Sequence, residues 1–264
     1  MPKFGLRTLL IVFATCAGIL AIVCPAVMQV REAGCRTTCS NNLRQIVLAM
    51  HNFESVFGHL PVGIETNADG TFRRSWRNHL YPSFMESAQK FYDPNFSWDS
   101  PANARLYDGT PVVATDKGGG NPRKIVLDPC PHWFWCCPSD STKRVNYSVV
   151  IGDETAFPLN RAVKFDEITD GLQNTIVAVE TLSESSIWTE PSDIQFDEMK
   201  FLIGNTVNGE LSSRHPNGVN VAFADGKICF MENTISIDDL RALLTISGNE
   251  PVTRRQLLER GILH

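Results

Sequence analysis

The sequence predicts an α+β fold in which a very long N-terminal helix carries a small antiparallel sheet. Two observations support this prediction. Residues 8–30 contain no charged side chain, and apolar residues then recur at three- and four-residue steps as far as Phe57. Much later, two β-prone runs flank Asp225-Gly226, a pair typical of a hairpin turn. Helix and strands are therefore expected in separate parts of the chain.

The first element is an apolar helix long enough to cross the ~30 Å hydrocarbon core of a bilayer. Lys3 and Arg7 precede it, and Arg31 and Arg36 follow it. We predict that residues 1–30 form an uncleaved membrane anchor. A secretory signal peptide is the alternative, but its apolar core is usually only about 7–15 residues long.

The cleavage signal that a signal peptide needs is weak in this sequence. Cys24-Pro25-Ala26 is only a loose match to a small-x-small site. Cys24 could also be a lipoprotein cysteine, although Ile22 and Val23 before it are bulkier than is usual at such sites. Pro25 is expected to kink the helix by removing one hydrogen bond, which membrane helices tolerate.

The second element is an amphipathic stem over residues 31–57, continuous with the anchor. Its apolar stripe consists of Leu43, Ile46, Val47, Met50, Phe53 and Phe57. Gly58 and Pro61 end the pattern. One helix is therefore expected from about Leu9 to Phe57, roughly 70 Å at 1.5 Å per residue.

Residues 58–264 form the predicted globular domain. Its first part is expected to hold a loop or short hairpin over residues 62–74 and a helix over residues 75–92 that breaks at Pro82. Residues 93–129 contain five prolines and three consecutive glycines, which predicts a long irregular connection with one strand near residues 111–115.

The rest of the domain is expected to be antiparallel strands followed by short helices. The predicted strands are residues 146–151, 175–180, 219–223 and 227–231. Ser236-x-x-Asp239 begins a helix through Leu244 that Gly248 closes, and Thr253-x-x-Gln256 begins a last short helix that ends at Gly261.

Charge and motif content argue against nucleic-acid binding and catalysis. The formal net charge is −5 and no long basic run is present, so we expect no nucleic-acid partner. The sequence has no Gly-x-Ser-x-Gly elbow, no His-Glu-x-x-His helix and no phosphate-binding loop. Pairing Cys39 with His51, or Cys137 with His132, as nucleophile and base lacks such support. We predict no enzyme and no cofactor.

The chain has eight cysteines. A zinc interpretation of Cys130-Pro-His132-x3-Cys136-Cys137 lacks the spacing of a known zinc motif. Disulfides or buried thiols are therefore favoured, and no metal ligand is predicted. For the acidic residues Asp153, Glu154, Asp166, Glu167 and Asp170, a solvated face is favoured over a calcium site.

Two further groups stand out as candidate sites. His215, Asp225 and Gly226 are interpreted as structural residues of the hairpin, with ligand contact as the alternative. The aromatic run Trp133-Phe134-Trp135 is either core for the long connection or an exposed interaction patch.

An ordered series of motifs runs through the body of the chain. It consists of Cys39-Ser-Asn-Asn-Leu-Arg-Gln, His51-Asn-Phe, Leu60-Pro61, Ser75-Trp76-Arg77, Trp98-Asp99-Ser100-Pro101-x-Asn103, Cys137-Pro-Ser-Asp140, Ile168-Thr-Asp-Gly-Leu-Gln-Asn-Thr175, Trp188-Thr-Glu-Pro-Ser-Asp193 and His215-x9-Asp225-Gly226. This series resembles the planctomycetal prepilin-like family of unknown function, also filed under a bacterial solute-binding label. The resemblance covers the chain from about Cys39 to Gly248.

The resemblance implies a pilin- or pseudopilin-like fold, with a membrane helix continued into a stem and a small sheet packed on it. A prepilin peptidase site would carry an acid five residues after its glycine. Here Leu10 stands at that position after Gly5, so we expect an intact N terminus.

The resemblance series includes two of the cysteines, Cys39 and Cys137. A bond between them would tie the long connection to the stem, and the alternative is that both are free, buried thiols. A ring of this size stabilises a fold by roughly 4–5 kcal/mol in the chain-entropy model.

Two functions follow as hypotheses. The first is a single-pass protein of the cytoplasmic membrane, with a cytoplasmic N terminus and an outer domain, acting as a pseudopilin-like structural or secretion-associated subunit. Its partners would be pilin-like or secretion-system subunits. The second is an anchored module that binds a solute or glycan near Trp133–Trp135.

Overall fold

A computed structural model describes residues 5–84, 92–104, 112–116, 123–127, 132–142, 144–183, 185, 187–204 and 210–264. The helices are α1 (Leu6–Phe57), α2 (Trp76–Phe84), α3 (His132–Trp135), α4 (Ile237–Leu244) and α5 (Arg254–Glu259). The strands are β1 (Ile64–Thr66), β2 (Phe72–Ser75), β3 (Val112–Asp116), β4 (Arg123–Leu127), β5 (Tyr147–Ser148), β6 (Val150–Ile151), β7 (Ile176–Glu180), β8 (Ile194–Gln195), β9 (Gly218–Phe223) and β10 (Ile228–Glu232). The predicted α+β class is confirmed.

Helix α1 joins the apolar segment to the stem without interruption, as the sequence predicts. It continues through Pro25 and ends where Gly58 adopts a φ of 75°, with its N–H donating to the Glu54 carbonyl oxygen at 2.7 Å. Glycine suits this left-handed cap because it has no Cβ to clash. Within the part of the chain that the structure describes, α1 is the one helix long and apolar enough to cross a membrane.

The stem half of α1 packs on a four-stranded antiparallel sheet with the strand order β10-β9-β7-β5. Leu43, Ile46 and Met50 of the stem are fully buried. Ala178 of β7 and Ala222 of β9 belong to the same core cluster. Their small side chains let the helix approach the sheet closely, so the stem serves as the domain's central helix.

A second core cluster lies on the other face of the sheet. Successive residues of β9 alternate between the two clusters: Ala222 belongs to the stem-side core, and Val221 and Phe223 belong to the second core. Leu240 and Leu243 of α4 and Leu257 of α5 cover this second face. The sheet is therefore buried on both faces, with α1 on one side and the C-terminal helices on the other.

The middle of the chain departs from the prediction at its strands. The strand expected over residues 146–151 is two strands in different sheets, since β5 pairs with β7 whereas β6 pairs in parallel with β8. The division falls at Val149, whose N–H, like Ser148 Oγ, donates to the buried Asp193 carboxylate. Satisfying that carboxylate outweighs a continuous ladder.

Three smaller differences concern element ends and a missed strand. Helix α2 does not break at Pro82 but continues through it to Phe84, and residues 85–91 of the predicted helix lie outside the described residues. Strand β4 pairs with β3 and was not predicted. Helix α4 ends at Leu244, and the extended backbone of Thr245, rather than Gly248, terminates it.

Candidate functional site

Several motifs of the series are used to hold the domain together. Arg77 forms a buried ion pair with Asp193, with Nη2 to Oδ1 at 2.8 Å and Nη1 to Oδ2 at 3.1 Å. The Trp76 indole N–H donates to the same carboxylate at 2.9 Å. Ser75-Trp76-Arg77 and the Asp193 motif are therefore two halves of one structural contact, about 116 residues apart along the chain.

Three other motif side chains complete turns. Asn103 donates to the Ser97 carbonyl oxygen and accepts from the Asp93 N–H. Asp170 accepts from the N–H groups of residues 248 and 249. Asp225 accepts from the Lys227 N–H and from both Nη atoms of Arg254, each at 2.7 Å. Each of these motifs thus has a structural role in fixing a loop.

Cys39, Cys137 and His215 come together in the interior. The sulfur atoms of Cys39 and Cys137 lie 3.1 Å apart, and Cys137 Sγ lies 3.5 Å from His215 Nε2. All three ligand atoms lie within 4.8 Å of one another, and all three residues are buried. The cluster joins α1, the loop after α3 and the loop before β9.

Two carboxylates flank the imidazole. Glu32 of α1 accepts from His215 Nδ1, and Glu180 at the end of β7 lies 3.4 Å from His215 Nε2. Glu180 also accepts from the N–H and the side-chain amide of Asn220, at 2.7 and 3.0 Å. The histidine ring is therefore oriented from both nitrogen atoms.

The Cys137 loop is fixed by Asn146, which is fully buried. Its Oδ1 accepts from the Cys137 N–H at 2.7 Å, and its Nδ2 donates to Asp140 at 3.0 Å. Asp140 in turn accepts from the N–H and hydroxyl of Thr142. Cys137-Pro-Ser-Asp140 is thus a hydrogen-bonded turn that presents the Cys137 sulfur atom to α1.

The charges around the cluster shift its titration. Burial opposes the charged form of His215, but the hydrogen bonds with Cys137 and Glu180 outweigh it and raise the pKa of His215 to about 11. The hydrogen bond donated by Cys39 and, to a smaller extent, the contact with His215 lower the pKa of Cys137 to about 6 against the effect of burial. The same hydrogen bond, together with burial, raises the pKa of Cys39.

The cluster brings together Cys39 and Cys137, the two cysteines proposed to form a disulfide. Neither forms a disulfide in this structure, and a disulfide bond would require their sulfur atoms to approach to about 2.05 Å. The bond itself remains a prediction. His215 was interpreted as a hairpin residue, and its position beside these sulfur atoms could not be seen from the sequence.

Glu32 and Glu180 are functional candidates that the sequence analysis missed. Glu32 precedes Cys39 by seven residues, which places the two on one face of a helix, so this spacing was a usable signal. Glu180 ends a predicted strand, where an acid is unremarkable.

The other sequence candidates lie elsewhere. Phe134 and Trp135 are buried, and Trp135 packs with Phe134, Trp76 and Trp188, so these two side chains lie in the core. Their burial follows because one face of the short helix α3 closes the core beside α2. The side chains of Trp133 and His132, and all of Cys130, lie outside the described residues. His51 Nε2 contacts the Ala224 carbonyl oxygen rather than Cys39.

A groove of about 610 Å³ lies at the far end of the stem. Phe53, Phe57, Asn78 and Tyr92 are among the residues that line it. Asn78 is buried, and among the described residues no acceptor lies within hydrogen-bonding reach of its Nδ2 atom. The groove thus combines aromatic walls with a buried polar donor, which is a common composition for a small-molecule site.

One family shows similarity to this chain. Residues 28–158 match the model of a protein of unknown function, DUF1559, also called SBP_bac_10. The match begins in the last turns of the apolar segment and ends before β7, so it includes Cys39 and Cys137 but not His215. The match therefore shows similarity to a family of unknown function that also carries a solute-binding label. No curated protein and no solved structure matches the chain.

Proposed function

We propose that the protein is a membrane-anchored, pseudopilin-like structural protein whose domain lies on the outer side of the cytoplasmic membrane. The continuity of α1 carries this proposal. Val30 is 74% exposed, whereas Cys39 on the same helix is 0% exposed. Lipid would cover the first region, and the domain covers the second.

The junction between these regions supports a rigid mounting of the domain. Glu32, two residues after Val30, already accepts hydrogen bonds from Ser139 and His215 of the domain. No flexible linker separates the apolar segment from the domain. Such a protein would hold its domain at a fixed height above the membrane, as a stem-mounted subunit requires.

Topology and anchoring are tested together in the full-length chain. A periplasmic reporter enzyme fused after His264 is expected to be active, and a cytoplasmic fluorescent reporter at the same place is expected to be dark. The intact mass of the membrane-extracted protein is expected to include the apolar segment. Fluorescence of the cytoplasmic reporter together with an inactive periplasmic reporter would overturn the proposal, and so would a mature form that begins after Ala26.

Lateral assembly is tested with two cysteines already present in the apolar segment. Cys16 and Cys24 are both exposed thiols on α1. If subunits pack through their apolar segments, oxidative cross-linking in native membranes is expected to give a ladder beyond dimers. The Cys16→Ser/Cys24→Ser double variant is the control and is expected to give no ladder. Monomer alone in the unmodified protein would exclude assembly by this route.

A second function, binding of a small solute or glycan, is favoured by the groove beside Asn78 and Tyr92. Its location differs from the Trp133–Trp135 loop proposed from the sequence. A panel of sugars and small polar solutes is expected to include a ligand that raises the unfolding temperature of the unmodified protein. The same ligand should not stabilise a Tyr92→Ala variant. No stabilising compound, or equal stabilisation of both proteins, would count against this function.

A further inference from the structure

We propose that Cys39, Cys137 and His215 bind one Zn²⁺ ion, with Glu32 orienting the imidazole. This site is independent of the proposed anchoring role. Two thiolates and one imidazole nitrogen are ligands that zinc prefers, and proteins often combine them in structural sites. Of the described residues, these three form the one group of histidine, cysteine and acidic side chains with metal-binding spacing.

The distances are close to those of a tetrahedral zinc site. Bond lengths of about 2.3 Å to sulfur and about 2.0–2.1 Å to nitrogen place those two atoms roughly 3.6 Å apart. Cys137 Sγ and His215 Nε2 lie 3.5 Å apart. Two zinc-bound sulfur atoms lie roughly 3.8 Å apart, so Cys39 and Cys137, now at 3.1 Å, would separate slightly.

The hydrogen bond to the other nitrogen of the imidazole supports the assignment. His215 Nδ1 contacts the Glu32 carboxylate, which leaves Nε2 facing the sulfur atoms. A carboxylate on the non-ligating nitrogen is the usual partner of a metal-bound histidine, because it fixes the tautomer and the ring orientation. A disulfide between Cys39 and Cys137 would have no need of an imidazole aimed at it.

A fourth ligand and a route of entry are present as well. Glu180 lies 3.4 Å from His215 Nε2, so its carboxylate, or a water molecule that it holds, completes a four-coordinate site. Of the two carboxylates beside His215, Glu32 is the partly exposed one, with 28% of its side chain accessible. The ion therefore enters beside Glu32. Binding requires both cysteines as thiolates and His215 Nε2 without its proton, so the protons that these groups carry are released to solvent.

The bound ion would fasten the stem to the domain. Its ligands come from α1, from the loop after α3 and from the loop before β9. Cys39 and Cys137 are 98 positions apart in the sequence, and Cys137 and His215 are 78 positions apart. In this position the ion would cross-link three segments that otherwise meet only through packing and hydrogen bonds.

The test uses the full-length protein extracted in detergent, kept reduced and without oxygen. Elemental analysis is expected to find one zinc per chain. Co²⁺ added to the zinc-free protein is expected to give an absorption band from thiolate-to-cobalt charge transfer that saturates at one ion per chain. Added Zn²⁺ is then expected to abolish this band.

Matched variants separate the site from unspecific binding. Cys39→Ser and His215→Gln are expected to lose the saturable band. Cys229→Ser is the control, because Cys229 is also buried but lies outside the cluster. Glu32→Gln is expected to keep one ion per chain but to bind it roughly 10- to 100-fold more weakly, as an orienting residue should.

Three outcomes would overturn the proposal. The first is the absence of zinc and of a cobalt band in the unmodified, reduced protein, a result that needs no variant to fold. The second is a cobalt band that persists in Cys39→Ser. The third is a Cys39–Cys137 disulfide in protein taken directly from membranes, which would mean that the same sulfur atoms have a covalent role instead.

Discussion

Two buried polar centres lie in the same domain but differ in what completes them. The Arg77–Asp193 centre is closed at its carboxylate, since Asp193 accepts five hydrogen bonds from protein groups. The cluster of Cys39, Cys137 and His215 instead brings three potential metal ligands within 4.8 Å of one another. The first centre is a polar contact that completes the fold, whereas the second has the side-chain composition of a metal site.

The largest effect is expected at the closed centre. Asp193→Ala leaves the Arg77 guanidinium buried without its counter-charge, which should reduce the free energy of unfolding by about 3–5 kcal/mol. Denaturant unfolding of the full-length protein in detergent, followed by tryptophan fluorescence, measures it. Glu259→Ala is the matched control, because its pair with Arg255 is exposed and is worth about 0.3–0.5 kcal/mol. Equal losses of unfolding free energy in the two variants would show that the buried pair stabilises the fold no more than the exposed one.

The cysteine cluster should respond to chelation, whereas the arginine centre should not. Removing zinc from the unmodified protein is expected to lower the free energy of unfolding by about 2.7 kcal/mol where free zinc had been 100 times its dissociation constant. The same chelator should leave the stability of Cys39→Ser unchanged. A chelator effect of the same size in both proteins would place the metal elsewhere.

A smaller effect is expected at the other end of the His215-x9-Asp225-Gly226 motif. Asp225→Ala removes the paired hydrogen bonds with Arg254 and one turn contact, all partly exposed, so a loss of about 1 kcal/mol is expected. Zinc content should remain at one ion per chain. Loss of zinc in this variant would instead tie both ends of the motif to one site.

The smallest effect concerns pH at a partly exposed pair. A hydrogen bond from His79 and smaller contributions from Arg74 lower the pKa of Glu65 to about 2, although burial by itself would raise it. Because the folded-state pKa lies below the unfolded one, Glu65 stabilises the fold above about pH 4.5 and loses that contribution as pH falls towards about 2. Glu65→Gln should flatten the acid limb of stability between these values. An unchanged acid limb would contradict this role.

The predictability of the candidate site was uneven. The sequence motifs pair Cys39 with Cys137, but no local pattern links either residue to His215. The turn chemistry of Asp225-Gly226 depends on local backbone preferences, so it can be predicted from a few residues. Glu180 carries no local signal at all, because its role depends on the loop that folds over it.

The amino-acid sequence by itself determined the elements whose cause is local. The unbroken helix α1, its end at Gly58, the α4 cap at Ser236 and the β9–β10 hairpin follow from periodicity, capping residues and turn residues. Each of these depends on interactions between residues close along the chain. The tertiary structure was not needed to predict them.

Only the tertiary structure decided which polar residues meet inside the domain. It divided the predicted strand over residues 146–151, because the buried Asp193 carboxylate needed donors at Ser148 and Val149. It also placed His215 against Cys137 across 78 residues of chain. Such contacts depend on how the stem and the loops pack against the sheet, and desolvation makes each buried polar group find a partner wherever the fold supplies one.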